Sequence, residues 1–241
     1  MGLIDVRQEK LRVDTLLERT FGVIGASPVA SLVYVLVIGG LGAAGQGLGL
    51  LANADVQFGP FSVFPQDFST AAGFLFSFGL ATASIGGAWL LLRELLHRQG
   101  RARGRANSVW AFFGMSILAV LGVIAGLVLF IAPGVIILVR WSAANGYAVG
   151  MGHGPIRALK ESWEATSGHS WPIFFAGLIV TLGAAIAFGV IVAALTKIDP
   201  AVGAIVASLG DALSNVISFA FSVAVFLLVA DHRGEVAEVF A

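Results

Sequence analysis

The chain has 241 residues, of which 58% are hydrophobic and only 12% charged, against roughly a quarter charged in ordinary soluble domains. That deficit predicts lipid rather than water around most of its length. A formal net charge of zero leaves no basic field to gather nucleic acid, and the absence of cysteine excludes disulfides, thiolate metal sites and thiol nucleophiles.

The opening stretch MGLIDVRQEKLRVDTLLERT mixes acids and bases before any long apolar run. It lacks the basic start and apolar core of a cleaved signal, so the first apolar segment is expected to stay in the mature protein. Val6 stands where a myristoylation signal after Gly2 takes Ser or Thr, which argues against lipidation. Residues 6–26 are predicted as an amphipathic helix at the membrane surface. Val6, Val13, Leu17 and Phe21 lie near one face, with Arg7, Lys10, Asp14 and Glu18 elsewhere.

A bilayer core needs roughly 20 apolar residues at helical rise. Runs near that length cover 28–51, 68–92, 109–132, 134–149, 172–195 and 202–230. The fourth is short and contains Arg140 and Asn145, so a hydropathy window alone gives five spans. Charge placement favours six. Arg93, Arg98, Arg101, Arg103 and Arg105 follow the second run, and the positive-inside rule assigns them to the cytoplasm. With six crossings Arg7, Lys10, Arg12, Arg19, Arg157, Lys160 and Arg233 fall on that same side. Asp55, Asp67 and Asp199, with Lys197 as the one base, fall opposite. Both termini are then cytoplasmic, in what reads as a bacterial inner membrane, and a very short turn is expected at Pro133-Gly134.

Residues 155–167 are predicted as a second cytoplasmic surface helix, begun by Pro155 and ended by Gly168. Ile156, Leu159 and Trp163 share a face, and Arg157 with Glu161 and Lys160 with Glu164 make i,i+4 pairs on the wetter side. Trp163 and Trp171 are expected at headgroup depth. The predicted fold is therefore an all-α membrane protein, one domain over 1–241: a six-transmembrane-helix bundle with cytoplasmic amphipathic surface helices. Small residues spaced by four, Gly45 and Gly49, Ala83 and Gly87, Gly122 and Gly126, predict close helix packing. The Gly-rich stretch 39–50 lies inside an apolar run and lacks a lysine, so it reads as packing and not as a phosphate loop.

Arg140 is the most conspicuous position, because a guanidinium in hydrocarbon costs on the order of 3 kcal/mol unless something meets it. Counted from the outer ends of their helices, Arg140 and Asp211 lie at similar depth and are expected to pair. Asn145 and Asn215 continue the same two helices, giving an intramembrane polar seam of Arg140, Asn145, Asp211 and Asn215. That seam reads first as an interhelical contact and second as a site for a solute, a proton or a lipid headgroup. Arg98, Arg101, Arg103 and Arg105 orient the chain and are candidates for contacts with anionic headgroups. His97, His153, His169 and His232 form no HxxxH or HExxH pattern, so no metal site is expected. No GxSxG, P-loop or dinucleotide motif is present, and neither an enzyme activity nor a cofactor is expected.

The stretch FIAPGVIILVRWSAANGYAVGMGHGPIRALKESWEATSGHSWPIFFAGLIV, residues 130–180, resembles the signature of the glycerophosphoryl diester phosphodiesterase membrane domain family and of the related YciC-like proteins. The parts that carry the resemblance are Pro133-Gly134, Arg140-Trp141-Ser142, Ala158-Leu159, Ser162-Trp163-Glu164, and Thr166 followed by Gly168. They cover about a fifth of the chain. Asn145-Gly146-Tyr147 departs from the family, which commonly has a proline-containing apolar stretch there. The family name comes from membrane regions sometimes fused to a soluble phosphodiesterase barrel, and this sequence carries no such barrel, so the resemblance does not imply hydrolysis. It implies an integral membrane role, and the function expected of the chain is that of a non-enzymatic accessory or scaffold protein that engages membrane lipids, another membrane protein or a second copy of itself. The alternative is a small transporter or lipid-handling protein built on Arg140 and Asp211.

Overall fold

The computed structural model describes residues 11–51, 70–102 and 108–239, and their side chains except at 108 and 231–239. The described residues are almost entirely helical: α1 (Val13–Ala26), α2 (Pro28–Gly47), α3 (Ala71–Arg98), α4 (Ser108–Leu129), α5 (Ile131–Arg140), α6 (Pro155–Ala165), α7 (Ser170–Ile198) and α8 (Pro200–Val239). Five of these, α2, α3, α4, α7 and the stretch Pro200–Ala230 of α8, are long and apolar enough to cross a bilayer. The protein is a multi-pass helical membrane protein. α5 has the apolar character but only 10 residues.

α8 is the central post. α7 lies antiparallel to it, with Gly203 beside Thr196, Gly210 beside Phe188 and Gly177 beside Phe221. Asp199 caps the turn between them by accepting the Ala201 N–H at 2.8 Å, and Pro200 takes the first helical position, where its missing N–H costs nothing. α2 crosses another face of α8: a Cβ on Gly39 would stand 2.9 Å from the Leu209 Cα, and Tyr34 meets Phe219 edge-on at 6.1 Å. A π-helical turn, Val35–Gly39, interrupts α2 at that crossing. Gly87 of α3 packs on Tyr34. The Gly-rich stretch thus works as helix packing, with Gly42 against Ser208 and Gly45 against Phe76.

α1 is shorter than the expected 6–26, residues 6–10 lying outside the described ones, and its inward face differs from the expected one. Leu16, Thr20 and Val23 are buried, while Phe21 is exposed. Thr20 can occupy the buried face because its hydroxyl donates to the Leu16 carbonyl at 2.6 Å, which removes the cost of hiding it. α6 is corrected in the same way. Its packed face is Ala158, Leu159, Ser162 and Ala165, with Ile156 turned outward and Trp163 half out. The Arg157–Glu161 pair forms at 3.7 Å on the exposed side.

α4 and α5 form a hairpin whose turn falls at Phe130, not at Pro133-Gly134. Pro133 belongs to the first turn of α5, where a proline is tolerated, and Gly134 lets the α5 backbone lie against Gly126 of α4. The hairpin tip, Val128 to Ile131, is apolar and exposed throughout. α7 likewise buries only Ile173 and Ala176.

Candidate functional site: a broken helix and a separate carboxyl

The fourth apolar run is the least regular part of the bundle. α5 ends at Arg140, residues 141–143 form a turn, and the chain resumes as helix at 144 to finish in a π-helical turn, Gly146–Gly150. There is no proline at the break. The ladder opens because side chains from elsewhere take its groups, a recognised cause of kinks. Ser162 Oγ donates to the Arg140 carbonyl at 2.7 Å and accepts the Ala143 N–H at 3.2 Å. Thr166 Oγ1 shares its one proton between the Ser162 carbonyl a turn back, at 2.8 Å, and the same Arg140 carbonyl, at 3.1 Å. Ser222 Oγ of α8 donates to the Ser142 carbonyl at 2.6 Å, and Ser142 Oγ turns back to the Val139 carbonyl at 2.7 Å. Backbone groups freed inside a membrane protein need such internal partners, and here each of these three has one.

Three consequences follow for position. Gly146 sits against the Phe226 ring with no room for a side chain, so the resumed segment is pressed onto α8. Tyr147 meets Phe226 edge-on at 5.0 Å and stacks on His153 at 6.1 Å. A Cβ on Gly150 would lie 3.2 Å from the Arg101 carbonyl, so the run ends beside the loop that follows α3.

Arg140 sits at the corner of this break. Its Nη1 donates to the Trp163 carbonyl at 3.4 Å, and its guanidinium carbon lies 5.5 Å from the centre of the Trp163 ring. Trp141 meets Trp163 edge-on at 6.5 Å. The corner is therefore a guanidinium over an indole with a second indole beside it, half-exposed, at the end of α6 that leads directly into α7 and the exposed Trp171.

The expected Arg140–Asp211 pair does not form. Ser142 is level with Ser222, and Asp211 lies about three turns, roughly 16 Å, nearer the start of α8. Counting depth from helix ends failed because the α4–α5 hairpin and the α7–α8 hairpin do not start level. The expected seam is split in two. Arg140 and the half-buried Asn145 belong to the break, while Asp211 and the buried Asn215 belong to the middle of α8. Oδ1 of Asp211 is buried and has no hydrogen-bond partner. Ser208, three residues before it, is buried against Gly42 of α2.

Arg98 pairs with Glu94 at 2.8 Å on the surface of α3, Arg101 follows that helix, and Arg103 and Arg105 lie outside the described residues. His153 stacks on Tyr147; partial burial, reinforced by Arg157 and opposed by Glu161, pushes its pKa below the ordinary histidine value, so the ring is neutral at neutral pH. Among the described residues no three of His, Asp and Glu gather as metal ligands would. The hydroxyl groups of Ser162, Thr166 and Ser222, which hold the break open, were not singled out as site residues from sequence. The available signal was that Ser162 and Thr166, four apart, flank Trp163 on a helix otherwise buried through alanine and leucine. Compared with known proteins, the chain matches no family model, no curated sequence and no solved structure.

Proposed function

We propose that this chain is a non-enzymatic accessory protein of a bacterial inner membrane that engages anionic lipid headgroups at the Arg140–Trp163 corner. In this reading six apolar segments cross the bilayer and both termini are cytoplasmic, with the α4–α5 hairpin and its continuation to Gly150 leaving from and returning to one side. The observation that carries the lipid reading is the Arg140 guanidinium itself. It rests on an aromatic face and makes one long hydrogen bond to a neutral carbonyl, which leaves most of its five donors directed to a half-exposed edge. A phosphate accepts such a fork well. The flanking Trp163 and Trp171 are residues of the headgroup layer. The likeness to the glycerophosphoryl diester phosphodiesterase membrane domain belongs to this proposal, because part of the set that carries it, Arg140-Trp141-Ser142, Ser162-Trp163 and Thr166, builds the corner.

The lipid reading is tested in native lipid discs by mass spectrometry of co-purified lipid. Anionic lipid is expected at stoichiometric levels with the native chain, and Arg140→Gln is expected to lose about tenfold of that retention, the loss of one charge-assisted contact. Equal retention by both proteins would remove the corner from consideration; a recurrent protein partner in place of lipid would favour a scaffold.

Sidedness is tested separately, since the native chain has no cysteine. Single cysteines at Arg101, Lys160 and Asp199 are treated in intact cells with a membrane-impermeant thiol reagent. Asp199→Cys is expected to label and the other two to stay protected. Labelling of Lys160→Cys without Arg101→Cys would mean that the fourth run does not return.

A further inference from the structure

We propose that Asp211 is an intramembrane proton-binding site, a carboxyl carried as the neutral acid within the bundle and open to exchange of that proton. Along α8 it lies about 16 Å from Pro200 and about as far from Ser222. The face that bears it also bears Ser208 and Asn215, both buried, at i−3 and i+4.

An ionised carboxylate is acceptor-only and needs donors on both oxygens. Oδ1 of Asp211 is buried and meets none. The neutral acid is a donor, which suits a helical position where short polar side chains return a hydrogen bond to the preceding turn. Among the described residues no counter-ion is in place to hold the charged form. α2 offers no charged side chain and one phenol, Tyr34, which meets Phe219 two turns inward. α3 has no Asp, Glu, Lys, Arg or His between 71 and 92, and α7 has none between 170 and 196. Lys197 and Asp199 belong to the turn at the far end of the α7–α8 pair, beyond the Thr196–Gly203 contact. The broken segment reaches α8 at Ser222 and Phe226, so Arg140 and Tyr147 face its inner half. Arg157, Lys160, Glu161 and Glu164 are on α6, which packs at that same break. α1, with Arg12, Asp14, Glu18 and Arg19, precedes Pro28 and so lies further inward than the Tyr34–Phe219 contact. The loop 52–69 between α2 and α3 contains no Lys, Arg or His in its sequence. A proton is the one cation that neutralises Asp211 without a further ligand.

The test uses a membrane-permeant carbodiimide, dicyclohexylcarbodiimide, on the full chain in lipid discs. A protonated carboxyl adds across one N=C bond of the reagent, its proton going to nitrogen and its oxygen to carbon, and the adduct rearranges to an N-acylurea with no group leaving. The expected result is a gain of one reagent mass on the peptide containing Asp211 at neutral pH, falling away as the pH is made alkaline. The adduct is absent from Asp211→Asn. Because the pH series is read on the native chain, it stands even if the variant folds poorly. An Asp211 that labels only after denaturation overturns the proposal. So does protection by sodium at fixed pH, which would assign the site to a metal cation.

Discussion

Replacing Gly126 by leucine is expected to open the α4–α5 hairpin and destabilise the protein in detergent by about 3 kcal/mol or more, beyond the usual range for an overpacked core position. A Cβ at Gly126 would stand 2.9 Å from both the Cα and the N of Gly134, and one at Gly134 would meet the Leu127 backbone nitrogen at 2.9 Å. Backbone faces backbone across this contact, so no side chain can swing aside, and the two helices would have to separate. Gly126→Ala already places the offending carbon and is expected to lose about 1 to 3 kcal/mol. Gly183→Ala on α7 is the control, because nothing lies within 4 Å of its Cβ position. It is expected to be neutral or mildly stabilising, since alanine is the better helix former. Equal stability of Gly126→Leu and Gly183→Ala would mean that the hairpin does not pack through these glycines. The effect reaches the candidate site because Trp141 covers Gly122 one turn further along the same seam. A sprung hairpin would carry Arg140 away from Trp163, so lipid retention should fall together with stability.

The spans were legible because hydrocarbon selects for composition, and composition is local. A run such as 172–195 announces α7 with no knowledge of its neighbours. The break at 141–143 was not legible because its cause is 19 to 80 residues away in Ser162, Thr166 and Ser222. Nothing in Arg140-Trp141-Ser142 itself forbids a continuous helix. The faces of α1 and α6 were misjudged for a related reason. Apolar side chains were used to find the buried side, yet Thr20 and Ser162 lie on it, each satisfied by a carbonyl that only the folded chain supplies. The Arg140–Asp211 pairing assumed that equal counts from helix ends mean equal depth. The Ser142–Ser222 hydrogen bond fixes the register directly and puts Asp211 three turns away.

The hydroxyls at the break give the second large effect. Ser162 donates to the Arg140 carbonyl at 2.7 Å, and Thr166 shares its one hydroxyl proton between that carbonyl at 3.1 Å and the Ser162 carbonyl at 2.8 Å, so the Arg140 carbonyl keeps a partner when either is lost and none when both are. Thr166→Val, which preserves shape at a buried position, is expected to cost about 1 kcal/mol in detergent unfolding. Ser162→Ala is expected to cost about 2 kcal/mol, because the Ala143 N–H also loses its acceptor. The double variant should lose more than the sum by about 1 kcal/mol, the mark of groups that share a partner. Strict additivity would mean that the carbonyl finds another donor, by closing the ladder to Ala144 and straightening the fourth run into a continuous helix. That outcome would have its own signature. A straightened run carries Arg140 off the end of α6, and the double variant would then lose anionic lipid as Arg140→Gln does while losing no more stability than the two single changes together.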